Sequence, residues 1–143
     1  MDTKSRYNEL INFIEDSVCE AIGEKSRDIA YLVMKNKGRG IPTRDMGAIF
    51  LFMTGDFLND YIKKRQLNRA FKQLIESENP IIEIAQDYTG RDQQAFNKEF
   101  KKQFGITPTD ARKERQYKLI TPPKTWEVLS SNGAGTINTG NQE

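Results

Sequence analysis

Three phenylalanines, Phe96, Phe100 and Phe104, recur every fourth residue late in this 143-residue chain. A period of four keeps side chains on one face of an α-helix, so the three rings form a stripe that must be buried. Gln93, Gln94, Asn97, Lys98, Lys101 and Lys102 occupy the other faces. A helix divided in this way suits a DNA major groove: amides bond base edges in pairs, and lysines neutralise phosphates. From Pro80 to Arg115 the sequence reads as a short helix, a tight turn, the phenylalanine helix and a capped third helix.

Other residue types bound what such a helix can serve. There is no histidine and a single cysteine, Cys19. This removes the usual general base, the Ser-His and Cys-His nucleophile pairs, and the commonest metal ligand. Glu83, Asp87 and Asp92 are the nearest approach to a carboxylate cluster, and helix surfaces carry such acids routinely. No enzyme, no cofactor and no metal site is expected. Cys19 reads as an inert core thiol. Charged residues make up 29% and mean hydropathy is -0.72, which fits a soluble protein. The longest apolar run, Ala48 to Met53, is far short of the roughly 20 residues of a membrane span. The N-terminus lacks a signal-peptide layout, so a cytoplasmic location is expected.

Net charge is only +2, but it is unevenly spread. Residues 1–60 carry 8 basic and 10 acidic groups, residues 61–118 carry 13 and 8, and residues 119–143 carry 1 and 2. Positive charge collects where the amide-and-lysine helix lies. A chain of this length can bury one core, or two small ones that share a helix.

Taken in order, Leu10, Ile11, Ile14, Val18, Ala21 and Ile22 mark a first helix that stops at Gly23. Ser26 precedes a second, with Ile29, Ala30, Leu32, Val33 and Met34 inward, ending near Asn36. Lys37 to Pro42 is a basic, glycine-rich loop. It is read as a turn with some phosphate contact, because it lacks the ending of a nucleotide-binding loop. Thr43 caps a helix from Arg44 to Met53. Asp56 opens the longest helix, to about Ser77, with Phe57, Tyr61, Leu67, Ala70, Phe71, Leu74 and Ile75 inward. Lys63, Lys64, Arg65, Arg69 and Lys72 cover its outside. Asn79 caps the next helix and Pro80 takes its first position, with Ile81, Ile84 and Ala85 inward. Gly90 takes a positive-φ turn, and Asp92 caps the phenylalanine helix. Gly105 ends that helix, and Thr107-Pro108-Thr109-Asp110 forms a capping box. Residues 119–143 read as an extended and then disordered tail, a linker remnant or simply a tail, with Trp126 a candidate to dock on the core.

The stretch resembles the second helix-turn-helix of the AraC/XylS family of bacterial transcription regulators. The matching residues are Ile84-Ala85, then Asp92-Gln93 and Phe96, then Phe100-Lys101-Lys102 and Phe104-Gly105, then Thr107-Pro108 and Arg112. Upstream, Tyr61-Ile62-Lys63-Lys64-Arg65 and Leu67-Asn68-Arg69-Ala70 look like the family's linker helix. The resemblance runs from about Gly55 to Arg115 and weakens over residues 26–54. Thr89-Gly90 stands where the family usually has Gly-Phe, and Arg91 where it has a capping serine. Tyr88 is a substitute for the missing turn aromatic.

The resemblance implies an all-α fold of about seven helices, with two helix-turn-helix subdomains joined by a long linker helix. The divisions are residues 1–55, 56–78 for the linker, 79–118 for the second helix-turn-helix, and the tail. It implies sequence-specific binding of double-stranded DNA in transcription regulation, with the helix from Asp92 to Phe104 in the major groove. Gln93, Gln94, Asn97 and Arg44 are the candidates for base contact. Arg91, Lys98, Lys101, Lys102, Lys63, Lys64 and Arg112 are those for phosphate. The first recognition helix departs from the pattern, since its outer face reads Gly47, Ala48, Leu51, Phe52. Either only its first turn touches DNA, or that face packs on the N-terminal helix or on another subunit; packing is the favoured reading. RNA polymerase or self-association through Ala48 to Met53 are the candidate protein contacts. The alternative function is a helical interaction module with weakened or lost DNA binding.

Overall fold

A computed structural model of the chain describes residues 2–35 and 44–136, and only the backbone of residues 44–45 and 132–136. Along it run α1 (Thr3–Glu20), α2 (Ser26–Lys35), α3 (Arg44–Thr54) and α4 (Leu58–Glu76), then α5 (Ile81–Thr89), α6 (Gln93–Phe104) and α7 (Pro108–Glu114). A 3-10 turn (Tyr117–Leu119) and α8 (Trp126–Thr136) follow, and no strand occurs among the described residues. The fold is all-α, with one helix more than expected. The Lys37 to Pro42 loop, the Thr43 cap and the Arg44 side chain lie outside the described residues.

Apolar periodicity builds two cores, and α4 belongs to both. The first joins Tyr7, Leu10, Ile11, Ile14 and Val18 of α1 to Ile29 and Val33 of α2, Met46 and Phe50 of α3, and Tyr61 and Ile62 of α4. The second joins Leu67, Ala70, Phe71, Leu74 and Ile75 of α4 to Ile84 and Ala85 of α5, Phe96 and Phe100 of α6, and Ala111 of α7. One rigid helix therefore sets where the two small cores stand relative to each other.

Between the cores, α4 turns polar while staying buried. Arg65, Gln66 and Asn68 are 8%, 1% and 3% exposed. Each makes a hydrogen bond to chain outside α4, as buried polar groups require. Arg65 pairs with Glu15 of α1 and donates to the Thr121 carbonyl at 2.8 Å. Gln66 donates to the Glu24 carbonyl at 2.8 Å, in the turn between α1 and α2. Asn68 accepts from the Thr121 amide at 2.7 Å.

The chain after α7 does not trail away. Residues 120–125 run back across α4 to the first core, as a strap. The Lys124 carbonyl accepts from the Tyr7 hydroxyl at 2.7 Å, and the Lys124 amide donates to the Tyr61 hydroxyl at 3.0 Å. The Lys124 ammonium reaches the Thr54 carbonyl at the end of α3, 3.0 Å away, and so satisfies an acceptor the helix leaves over. Trp126 packs edge-on against Tyr7, with ring centroids 5.9 Å apart.

Several expectations are corrected. The tail read as extended and disordered instead holds the strap and α8, and Trp126 docks on the first core. Cys19 is exposed, not a core thiol; it lies one residue off the stripe that ends at Val18 and accepts a hydrogen bond from Arg69 at 2.8 Å. Ile22 is exposed because α1 has already ended at Glu20. Leu32 and Met34 are exposed because α2 buries only the Ser26, Ile29 and Val33 line. Helix α4 starts at Leu58, which leaves Phe57 at its cap and 70% exposed. Arg65, expected outside, continues the buried line from Tyr61 one turn later. Pro80, not Asn79, occupies the cap position of α5.

Burial raises the Tyr61 hydroxyl to about 12, against a smaller opposing effect from the Lys124 amide that donates to it. Burial, with the neighbouring Tyr61 second, also pushes the Tyr7 hydroxyl up. Unfolded phenols ionise near 10. The unfolded chain therefore releases these protons first, and the stability they contribute is full below about pH 10 and is lost as pH rises toward the folded values. The urea midpoint should fall over about pH 10–12, and Tyr61→Phe should shrink that fall. An equal fall in the variant would mean that burial of this phenol is not what the alkaline loss reports.

Candidate nucleic-acid interface

Helix α6 is positioned from behind and fixed at both ends. Phe96 and Phe100 are fully buried, and Phe104 packs beside them. Phe71 of α4 meets Phe104 edge-on at 4.8 Å between centroids and Phe100 at 5.2 Å. The Asp92 carboxylate accepts from the Ala95 amide at 2.8 Å and caps the first turn. Gly105, at φ 80°, closes the helix in the left-handed conformation. Lys101 and Lys102 lie in the last turn, where the helix dipole favours positive charge.

The turn before α6 follows from Gly90. Its φ is 67°, and a Cβ there would stand 2.9 Å from the Gly23 oxygen and from the Glu24 carbonyl carbon. The Gly23 amide also donates to the Asp87 carbonyl at 2.8 Å. The turn between α1 and α2 thus rests on the end of α5, and only glycine lets the two backbones come so close. Tyr88, half-buried, packs on the second core where the usual turn aromatic is missing, and the Arg69 guanidinium lies over its ring, 5.2 Å from the centroid.

With α6 so held, Gln94, Asn97, Lys98 and Lys101 fall at i, i+3, i+4 and i+7 and are exposed. Among the described residues none of the four has a side-chain hydrogen bond or ion pair. Gln93 and Arg91 are half-buried at the start of the helix, and Lys102 is exposed beside the face. Lys63, Lys64 and Lys102 line one groove of about 650 Å³ between α4, α6 and the strap, together with Asp56, Asp60 and Glu99. Lys64 pairs with Asp56 at 2.9 Å, and Lys63 lies 3.7 Å from Glu99. Two of the expected phosphate contacts are therefore already shared with carboxylates of the chain itself.

Arg112 has a different task. It donates to the Leu74 carbonyl at 2.9 Å and to the Asn79 carbonyl at 2.7 Å. These bonds finish the end of α4 and tie it to α7, so two of its donors serve the fold. The Thr107 hydroxyl accepts from the Asp110 amide at 3.1 Å and caps α7. On α3 the outer face is uncovered: Leu51 is 38% and Phe52 86% exposed. The N-terminal helix packs on the opposite side of α3, through Met46 and Phe50, so it does not cover that face. Sequence reasoning missed Glu15, Gln66 and Asn68 as the groups that fix α4. For Asn68 a signal was present, because it lies a helical i+7 step from the inward Tyr61.

Two helices joined by a tight turn, the second presented outward, make this a helix-turn-helix domain. Residues 40–114, just over half of the chain, match the helix-turn-helix domain family. The chain belongs to that family, in its AraC/XylS branch. It is 41% identical over 64 residues to the regulatory protein SoxS of Escherichia coli K12, across 45% of this chain and 60% of SoxS. It is 35% identical over 77 residues to the transcriptional regulator Rob of Salmonella typhimurium LT2, across 52% of this chain and 27% of Rob. The chain thus spans less than two thirds of either relative's length. An AraC-type DNA-binding domain protein from Chromobacterium violaceum shares the fold, with a TM-score of 0.60 over 78% of this chain and 92% of that one, at 24% identity. No helix among the described residues is long and apolar enough to cross a membrane.

Gly90→Ala should cost more stability than Gly105→Ala. Both positions have positive φ, which costs a side chain about 1–2 kcal/mol. Only at Gly90 does the new methyl also strike backbone, while Gly105 has open space around it. Urea midpoints of the two variants measure the difference; equal losses would mean that the Gly23-Glu24 turn simply moves aside.

Proposed function

We propose that this chain binds double-stranded DNA in transcription regulation, with α6 as its reading helix in the major groove. The observation that carries the reading is the free face of α6. Two amides lead it, two lysines follow, and none is committed elsewhere in the described structure, while buried phenylalanines hold the helix rigid. Gln94 and Asn97 have the paired donor and acceptor that adenine offers in the major groove, so the favoured half-site contains A·T pairs. Gln93 stands beside them at the first turn. Lys98, Lys101, Lys102 and Arg91 are the phosphate contacts. Lys63 and Lys64 join only as their pairs with Glu99 and Asp56 open. Arg112 is left out because two of its donors hold it against the Leu74 and Asn79 carbonyls. The family is one of DNA-binding domains, and the reading assigns the chain no catalysis and a cytoplasmic place of work.

A second reading has support from one observation, the exposed Phe52 on α3. Here the chain is an interaction module whose α3 face docks a protein, RNA polymerase among the candidates, and DNA binding is weakened. Salt dependence separates the two. Four phosphate contacts give a slope of log affinity against log salt of about -3.6. The interaction module gives a flat line.

Base and phosphate contacts also separate by variant. Gln94→Ala should weaken binding about tenfold and flatten discrimination at one base position only, since such a contact is worth about 1–3 kcal/mol. Lys101→Ala should weaken all duplexes alike and reduce the salt slope by about 1. Fluorescence anisotropy over a panel of single-base variants reads both. Uniform losses across the panel for Gln94→Ala would exclude base reading by that residue.

A further inference from the structure

Helix α6 contains one carboxylate, Glu99, set among Lys98, Lys101 and Lys102. A negative charge in a helix that meets DNA works against binding, so its placement needs a reason. Glu99 does not lie on the free face. It turns into the groove between α4, α6 and the strap, where Lys63 of α4 stands 3.7 Å away. Both side chains are 28% exposed. The lysines of this groove are held very differently. Lys64 donates to both oxygens of Asp56, at 2.9 and 3.1 Å, and that carboxylate is only 13% exposed. Lys124 is anchored on the Thr54 carbonyl at 3.0 Å. Lys63 has only its long contact with Glu99, beyond hydrogen-bond length and open to water. Lys102 is exposed and has no partner among the described residues.

We propose that Lys63 and Lys102 form a phosphate site beside the reading helix, and that Glu99 is its gate, competing with the duplex for Lys63. The proposal deepens the reading of α6 as the DNA-reading helix and rests on it. Lys102 lies one helical turn beyond Lys98, so the groove continues the basic edge of the reading face. A backbone phosphate entering there meets two ammonium groups from two helices. Lys63 can change partners at little cost, because a loose, water-exposed ion pair contributes little. Lys64 cannot do so as easily, since two short bonds hold it. Glu99 stays in the groove once Lys63 has turned to the phosphate, and the two anions repel over a distance well inside the screening length. The carboxylate therefore limits how tightly the chain holds any duplex. Phosphate contacts carry no sequence information, so discrimination stays with Gln94 and Asn97.

The test uses the full chain, a duplex selected from random sequence by the chain itself, and a scrambled duplex of the same length. Anisotropy over a series of salt concentrations gives affinity and salt slope for both. Glu99→Gln should bind both duplexes about three- to tenfold tighter, with a slope steeper by about 0.9, the value of one added phosphate contact. Glu99→Ala, which favours helix equally well, should do the same, so the effect belongs to the charge. Lys63→Gln placed in the Glu99→Gln chain should return affinity and slope to near the wild-type values. Asp56→Asn should leave affinity within about twofold. Helical circular dichroism should be unchanged in each Glu99 variant. Glu99 variants that bind no tighter overturn the proposal. So does a gain confined to one duplex, a gain that survives Lys63→Gln, or an equal gain from Asp56→Asn. A wild-type chain with a flat salt line removes the DNA reading and this gate together. A steep wild-type line left unchanged by Glu99→Gln removes the gate alone.

Discussion

Everything in this structure depends on α4 being shared. Its first turns complete one hydrophobic core and its last turns complete another, so neither core can move without it. The junction between them could have been apolar. Instead it holds Arg65, Gln66 and Asn68, buried and bonded to α1, to the turn before α2 and to the strap. Such groups add little net stability over an apolar filling, but losing one partner is expensive, because it strands the other in a dry site. Their effect is to tie α1, the turn before α2 and the strap to α4 through specific partners.

That fixed arrangement is what a recognition helix needs. Helix α6 reaches the surface on a stack of aromatic rings anchored to Phe71 of α4, with Asp92 and Gly105 setting its ends. A side chain that reads a base edge must be delivered to within a fraction of an ångström, and rigid support behind the helix does this without ordering backbone on binding, leaving only the side-chain rotamers to be fixed. The uncommitted state of Gln94, Asn97, Lys98 and Lys101 is the other half of the same design. Groups without partners in the free protein keep their full bonding capacity for a ligand. The two helix-turn-helix units differ on this point, since α3 presents Leu51 and Phe52 where α6 presents amides and lysines.

Much of this was legible in the sequence, and the failures share a cause. The phenylalanine stripe, the Gly90 turn, the Asp92 cap and the Gly105 stop are local, and local chemistry decides them. Residues near helix ends were misjudged: Ile22, Phe57 and Asn79 depend on whether a helix stops one or two residues sooner than its apolar pattern. Arg65 was misjudged because periodicity places it inward while its charge argues outward; only the presence of Glu15, fifty residues away, resolves the conflict. The strap was read as tail because proline, threonine and lysine look solvent-bound. Here the backbone is what docks, and backbone partners leave no mark in composition. The free face of α6 was visible as a pattern, whereas the internal use of Arg112 depends on where the end of α4 lies in space.

The anchoring of Lys124 carries a practical meaning. The family model's match ends at residue 114, and a fragment trimmed to residues 40–114 would look complete by that match alone. It would not be. Five members of the first core come from α1, and the two tyrosine hydroxyls that close over that core bond to a residue ten positions past the trimmed end. The unit that must be expressed, crystallised or fused is bounded by this fold's own closure, not by the limits of the family match.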